Sequence, residues 1–192
     1  MREFRLHGRG GQGAVMASKL LAVALYREGS YVQAFPAFGV ERRGAPVTAF
    51  LRVDPDPIRI RCEITEPDEL VVLDPTLIGA VDVTGGLKPG GTVLINSPRP
   101  PESCAGLLGA YRVATVDATA IASRHGLGSK TQPIVNTAMA GAFATVFGIV
   151  GLESVCAAIR EEIPVKPEEN VAAAREAAAA VRTVGQSESV HV

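Results

Sequence analysis

The stretch Gly8-Arg9-Gly10-Gly11-Gln12-Gly13 constrains the fold more than any other part of the chain. It fits the pattern G-x-G-x-x-G. Before it, "EFRLH" alternates apolar and polar residues and reads as a strand. After it, Ala14, Ala17, Leu21, Ala24 and Leu25 recur at helical spacing. A strand that runs through glycines straight into a helix is the geometry of a phosphate-binding turn. Its bare backbone lets N–H groups approach an anion, and the helix N-terminus adds about half a positive charge. The same glycines also permit a sharp turn that holds nothing, because fold similarity does not fix function.

The rest of the chain continues this opening as an α/β pattern. Gly29 is expected just past the end of the first helix, and "YVQAF" reads as a second short strand. "PAFGVERRGAP", bracketed by Pro36 and Pro46, reads as a loop. "VTAFLRV" and "IRIRCEI", separated by "DPDP", are expected to form a hairpin at the sheet edge. "LVVLD", "TVLIN" and "YRVATVD" are apolar runs suited to strands buried on both faces. Helices are expected at about 118–125, 135–148, 152–162 and 167–182, the last opened by Pro167 with Glu168 and Glu169 at its positive end. The predicted fold is α/β: Rossmann-like and doubly wound, with a mainly parallel sheet, an edge hairpin and a helical C-terminal part. Residues 1–183 are read as a single domain and 184–192 as a flexible tail.

Composition narrows the functional classes. Hydrophobic residues make up 47% and charged residues 20% of the 192, the balance of a soluble globular domain. No apolar run reaches the roughly 18 residues of a membrane span. Glycines begin at Gly8 before any apolar h-region of a signal peptide, so a cytoplasmic location is expected. Cys62, Cys104 and Cys156 are too far apart for a C-x-x-C unit. They are read as three reduced, buried thiols, with a single disulfide as the alternative, and no metal or iron–sulfur site is expected in this chain. Residues 1–61 carry ten Lys/Arg against five Asp/Glu, and the remainder nine against fifteen. Such asymmetry suits an anionic ligand or partner at the N-terminal third, although scattered solvated charges produce it too. Nucleic acid is disfavoured by a pI near 6.3 and the lack of interleaved aromatic and basic residues.

One feature argues against NAD at the glycine loop. A dinucleotide site wants Asp or Glu about 20 residues on, at the end of the second strand, for the ribose hydroxyls. In "YVQAF" the only hydrophilic side chain apart from the tyrosine is Gln33. An S-adenosylmethionine site wants a similar acid. A free-standing Rossmann enzyme using either cofactor, and a purely structural interaction module, stay open as rival readings.

Four segments, "HGRGGQGAVMASKLLAVA", "YVQAFPAFGVERRGAPVTAFLRV", "PIVNTAMAGAFATVFG" and "KPEENVAAA", resemble in order the gamma subunits of the 2-oxoacid:ferredoxin oxidoreductases. The resemblance runs from about residue 4 to about 180. "AFPAFGVERRGAPV" is more similar to the pyruvate branch than to those acting on 2-oxoglutarate, branched-chain 2-oxoacids or indolepyruvate. The resemblance implies a subunit of an enzyme that converts a 2-oxoacid and coenzyme A to acyl-CoA and CO2 while reducing ferredoxin. It implies alpha, beta and delta partners. Thiamine diphosphate with Mg2+ belongs to alpha and beta, and [4Fe-4S] clusters to beta and delta. Gamma is implied to complete the active site and to help bind coenzyme A. A homodimer contact is left open.

On that reading the anion-facing set is Gly8, Arg9, Gly10, Gly11, Gln12 and Gly13, joined by Arg42 and Arg43 from the long loop. An active-site or interface role is expected for Pro36, Phe38, Glu41 and Gly44 in that loop. Asn136 and Thr137 open a helix and either cap it or face the crevice at the carboxyl edge of the sheet. Met139 and His7 are read as structural, with a phosphate contact from His7 as the alternative. No Ser/His/Asp order or paired carboxylate stands out, so no catalytic residue is expected and the isolated chain is expected to be inactive.

Overall fold

A computed structural model describes residues 1–37, 44–108, 111–129 and 131–184 of the chain. The central strands are β1 (Arg2–Arg9), β2 (Tyr31–Pro36), β3 (Pro46–Asp54), β4 (Glu69–Val72), β5 (Thr92–Asn96), β6 (Arg112–Val116) and β9 (Arg182–Thr183). They form a mixed seven-stranded sheet in the order β2-β3-β1-β4-β5-β6-β9. A small separate hairpin pairs β7 (Gly128–Ser129) with β8 (Gln132–Pro133). The helices are α1 (Ala14–Arg27), α2 (Pro101–Leu108), α3 (Ala118–Arg124), α4 (Asn136–Phe147), α5 (Leu152–Glu162) and α6 (Pro167–Ala179).

Side-chain alternation divides the core in two. Phe4 and Leu6 of β1, Val71 of β4, Leu94 of β5 and Ala114 of β6 point to the larger core, with α1, α4, α5 and α6. Leu70, Val72, Val93, Ile95 and Val113 point to a smaller core closed by Leu77, Val83, Leu87 and Cys104. The central strands are therefore buried on both faces, as their apolar runs require. α4 is buried nearly all round because nearly all its residues are apolar. Its Gly141 lies against the Ala174 carbonyl of α6, and the Phe143 and Phe147 rings meet Phe4 tilted and edge-on, with centroids 5.0 and 5.3 Å away.

The ends of α1 and α6 follow their local signals. Gly29 takes φ 89° and donates to the Tyr26 carbonyl, while Ser30 reaches back to Leu25. Pro167 opens α6 with Glu168 and Glu169 in its first turn.

Several sequence-based expectations are corrected. "IRIRCEI" is not a strand, and the expected "DPDP" hairpin does not form. Both edges of β3 are already taken, by β1 on one side and β2 on the other, each antiparallel. The segment instead crosses the sheet face, where the Ile58 carbonyl accepts from Gln33 at 3.4 Å and the Cys62 sulfur from Arg52 at 3.7 Å. The edge hairpin is β2–β3. The sheet is thus evenly mixed, with β1-β4-β5-β6 as its parallel part. α6 ends at Ala179, and Arg182–Thr183 pair with β6 rather than continuing the helix. α2 and the β7–β8 hairpin were not foreseen. Cys62 is exposed, whereas Cys104 and Cys156 are buried; all three are free. The tail from 185 onward lies outside the described residues. Among the described residues, no helix is long and apolar enough to cross a membrane.

Candidate functional site

The chain runs from β1 leftward to β2 and β3 and later rightward to β4, β5 and β6, so the topology reverses between β1 and β4. In open α/β sheets, ligands bind in the crevice beyond the carboxyl ends of the strands at such a reversal. The glycine loop leaves β1 at that point.

Two of its glycines are required by backbone conformation: Gly11 has φ 100° and Gly13 φ 84°. Gly8 sits in tight space, since a Cβ there would stand 3.1 Å from that of Ala14. Gly10 is paired through its backbone to the far side of the long loop, donating to Ala45 at 2.9 Å and accepting from Gly44 at 3.0 Å. Gly13 is the N-cap of α1 and no side chain caps that end. The first turn of a helix leaves its amides without intrahelical partners, here Ala14, Val15 and Met16, since Ala17 makes the first bond to Gly13.

Arg9 and Gln12 lean toward β4. The Gln12 side chain accepts from the Arg9 amide at 2.8 Å and donates to Asp74 at 2.9 Å. The Arg9 guanidinium lies 3.2 Å from Asp74 and donates to Thr76 Oγ1 at 3.0 Å and to the Gly44 carbonyl at 3.1 Å. Asp74 itself begins the short 3-10 turn Pro75–Leu77 and accepts from the amide and hydroxyl of Thr76 at 2.9 and 2.6 Å. Burial works against its charged form. Hydrogen bonds from Thr76 and Gln12 and the charge on Arg9 outweigh that and hold its carboxyl below the usual value. Sequence reasoning missed Asp74. Its signal was an acid followed by proline at the end of the buried run "LVVLD".

Two cavities meet at Gly11. The first, of ≈ 300 Å³, is lined by Arg9, Gly10, Gln12, Gly44, Thr119 and Gln132 among others. The second, of ≈ 600 Å³, is mostly apolar, with Met16, Leu127, Ile163 and Val165 in its wall and Asn136, Lys166 and Asn170 as polar members. Asn136 and Thr137 are buried at the start of α4. Neither caps it, because Val135 takes the N-cap position without a side-chain bond. Asn136 Oδ1 accepts from the Thr137 amide at 2.8 Å, and the Thr137 hydroxyl donates to Asn170 of α6 at 2.9 Å. Lys166, at φ 52°, sits at the second cavity with its ammonium donating to Gly126 at 2.8 Å.

The structure thus gathers Arg9, Gly10, Gly11, Gln12, Gly13, Gly44 and Asn136 around the two cavities. Pro36 ends β2, exposed and outside both linings. Phe38, Glu41, Arg42 and Arg43 lie outside the described residues. His7 is buried behind the loop, where it accepts from Arg5 Nε at 3.0 Å. Burial and the Arg5 charge lower its pKa to about 4, against the weaker pull of Asp82. It is therefore neutral near pH 7 and serves Arg5. Among the described residues, no group of three His, Cys, Asp or Glu is placed to hold a metal ion.

This crevice belongs to a chain whose residues 3–180 match the family model described as pyruvate ferredoxin/flavodoxin oxidoreductase. The chain belongs to that family. It is 54% identical over 180 residues to the pyruvate/ketoisovalerate oxidoreductases common subunit gamma of Thermococcus kodakarensis, covering 92% of this chain and 95% of that one. It is 51% identical over 178 residues to the pyruvate synthase subunit PorC of Methanocaldococcus jannaschii, covering 93% and 95%. The crystal structure of the pyruvate oxidoreductase subunit PORC of Thermotoga maritima superposes with a TM-score of 0.81 at 36% identity, covering 95% of this chain and 98% of that one. The fold also occurs in the 2-oxoglutarate:ferredoxin oxidoreductase of Magnetococcus marinus, solved with 2-oxoglutarate, coenzyme A and succinyl-CoA bound. There the TM-score is 0.69 at 18% identity, over 93% of this chain and 30% of that one. Within the pyruvate ferredoxin/flavodoxin oxidoreductase family, this chain is a gamma subunit of a multi-subunit complex.

Proposed function

We propose that this gamma subunit works in a complex that converts pyruvate and coenzyme A to acetyl-CoA and CO2 and passes the two electrons released to ferredoxin. Alpha and beta chains supply thiamine diphosphate with Mg2+, and beta and delta chains the [4Fe-4S] clusters. Gamma contributes no reacting side chain. It offers a seat for coenzyme A beside the partners' chemistry. The observation that carries this reading is the open glycine loop at the strand reversal: its ≈ 300 Å³ cleft joins, at Gly11, the ≈ 600 Å³ cavity that Gly13 and Met16 of the uncapped α1 N-terminus line. The apolar cavity beyond Gly11 suits an uncharged arm attached to the phosphates. Relatives named as pyruvate oxidoreductase subunits support the substrate, and the Magnetococcus enzyme with bound coenzyme A supports the ligand.

The rival reading, a free-standing NAD or S-adenosylmethionine enzyme, needs an acid free to bind ribose hydroxyls. No acid ends β2, and the carboxylate at the glycine loop is Asp74, two residues beyond β4. Its oxygens are engaged by Thr76, Gln12 and Arg9.

Arg9→Ala in the assembled complex tests the proposal, because Arg9 lines the cleft and carries the guanidinium of the glycine loop without a special backbone conformation. The KM for coenzyme A is expected to rise by about ten-fold while that for pyruvate stays within about two-fold. Equal changes in both, or none, would remove the coenzyme A role. Stabilisation of the complex by NAD and not by coenzyme A would favour the rival.

A further inference from the structure

We propose that Asp74 is a positioning residue for the glycine loop: its carboxylate sets the shape of the crevice by holding Arg9 and Gln12, and through Arg9 the start of the Gly44–Ala45 segment. The glycine loop and the 74–76 turn, distant in sequence, meet on this one side chain, and a third segment is held through Arg9. The loop after β1 reaches it through the Gln12 amide at 2.9 Å and the Arg9 guanidinium at 3.2 Å. Its own turn is tied down by Thr76, whose amide and hydroxyl both donate to the other oxygen. The approach to β3 is reached at one remove, by the Arg9 bond to the Gly44 carbonyl.

Three consequences follow from this arrangement. The Arg9 charge is offset locally, so a phosphate at the loop meets chiefly the free amides of α1. The Arg9, Gly10 and Gln12 amides are occupied, by Gln12 Oε1, the Ala45 carbonyl and the Arg9 carbonyl respectively, which leaves the first-turn amides of α1 for an anion. Arg9 and Gln12 are held along the wall of the ≈ 300 Å³ cleft, so its width depends on where Asp74 puts them. Asp74 is mostly buried and acts through these neighbours.

Asp74→Asn keeps the size of the side chain but turns one acceptor into a donor, which cannot satisfy Thr76, Gln12 and Arg9 together. The test uses the assembled complex carrying Asp74→Asn, Arg9→Met and both. The kinetic part rests on the coenzyme A reading; the exchange part does not. Hydrogen exchange is expected to quicken in peptides covering 8–16 and 44–50 of the Asp74→Asn complex. The KM for coenzyme A is expected to rise by about five-fold or more with kcat within about two-fold. The double variant is expected to be no worse than the worse single, because Asp74 acts through Arg9. Quickened exchange with an unchanged coenzyme A KM would uphold the positioning role and defeat the coenzyme A reading instead. Exchange altered only around 73–78, or effects of the two substitutions that multiply, would overturn the proposal.

Discussion

The side-chain amide of Asn136 occupies the space that a β-carbon on Gly13 would need: its Nδ2 lies 2.8 Å from that point. The N-termini of α1 and α4 thus meet over a residue that must lack a side chain for two reasons, its neighbour and its φ of 84°.

Gly13→Ala is expected to cost about 1–3 kcal/mol, from the clash and from left-handed backbone strain together. Urea unfolding of the purified subunit measures it. Adding Asn136→Ala should recover the steric part and leave the strain, so the double variant should be more stable than Gly13→Ala alone. If the second substitution recovers nothing, the crowding is not what requires glycine.

Gly141 and Gly29 separate those two causes. Gly141 has its space filled by the Ala174 carbonyl of α6, whereas Gly29 has φ 89° and nothing within 4 Å. Gly29→Ala is expected to cost about 1–2 kcal/mol, the price of the left-handed conformation. Gly141→Ala should cost more, roughly 3 kcal/mol, by forcing α4 and α6 apart. The order of the two unfolding midpoints checks this.

Arg52 is fully buried on β3 and pairs with Glu3 of β1 at 2.7 Å. It also lies over the Phe35 ring at 5.6 Å. Glu3→Ala is expected to cost about 3–5 kcal/mol, because it strands a buried charge. Replacing both residues, as Glu3→Leu with Arg52→Met, should cost clearly less. Equal losses in denaturation experiments would show that packing, not charge, dominates at this point.

His7 gives the fold a pH dependence. Its pKa is lowered from 6.5 to about 4 by burial first and the Arg5 charge second. The unfolded chain takes up the proton near pH 6.5 and the folded chain does so only near pH 4. Folding stability contributed by neutral His7 is therefore complete above about pH 6.5 and lost as pH falls toward 4, by about 3 kcal/mol. His7→Gln, which can still accept from Arg5, should flatten the difference in unfolding midpoint between pH 7 and pH 4.5. An unchanged slope would assign the acid sensitivity to other groups.

The sequence by itself determined what is local. A strand, four glycines and a helix follow from alternation, from helical spacing and from the φ values only glycine accepts freely, and Gly11 and Gly13 take them. The two-sided burial of β4 and β5 follows from unbroken apolar runs, and the ends of α1 and α6 from Gly29 and Pro167. Only the tertiary structure decided which strand edges were free. "IRIRCEI" alternates as a strand should, but β3 had no edge left to pair with it. Asp74 and Arg52 were equally hidden. A charged side chain shows its function only through its partners, and those come from strands brought together by sheet order, which periodicity along one segment does not encode.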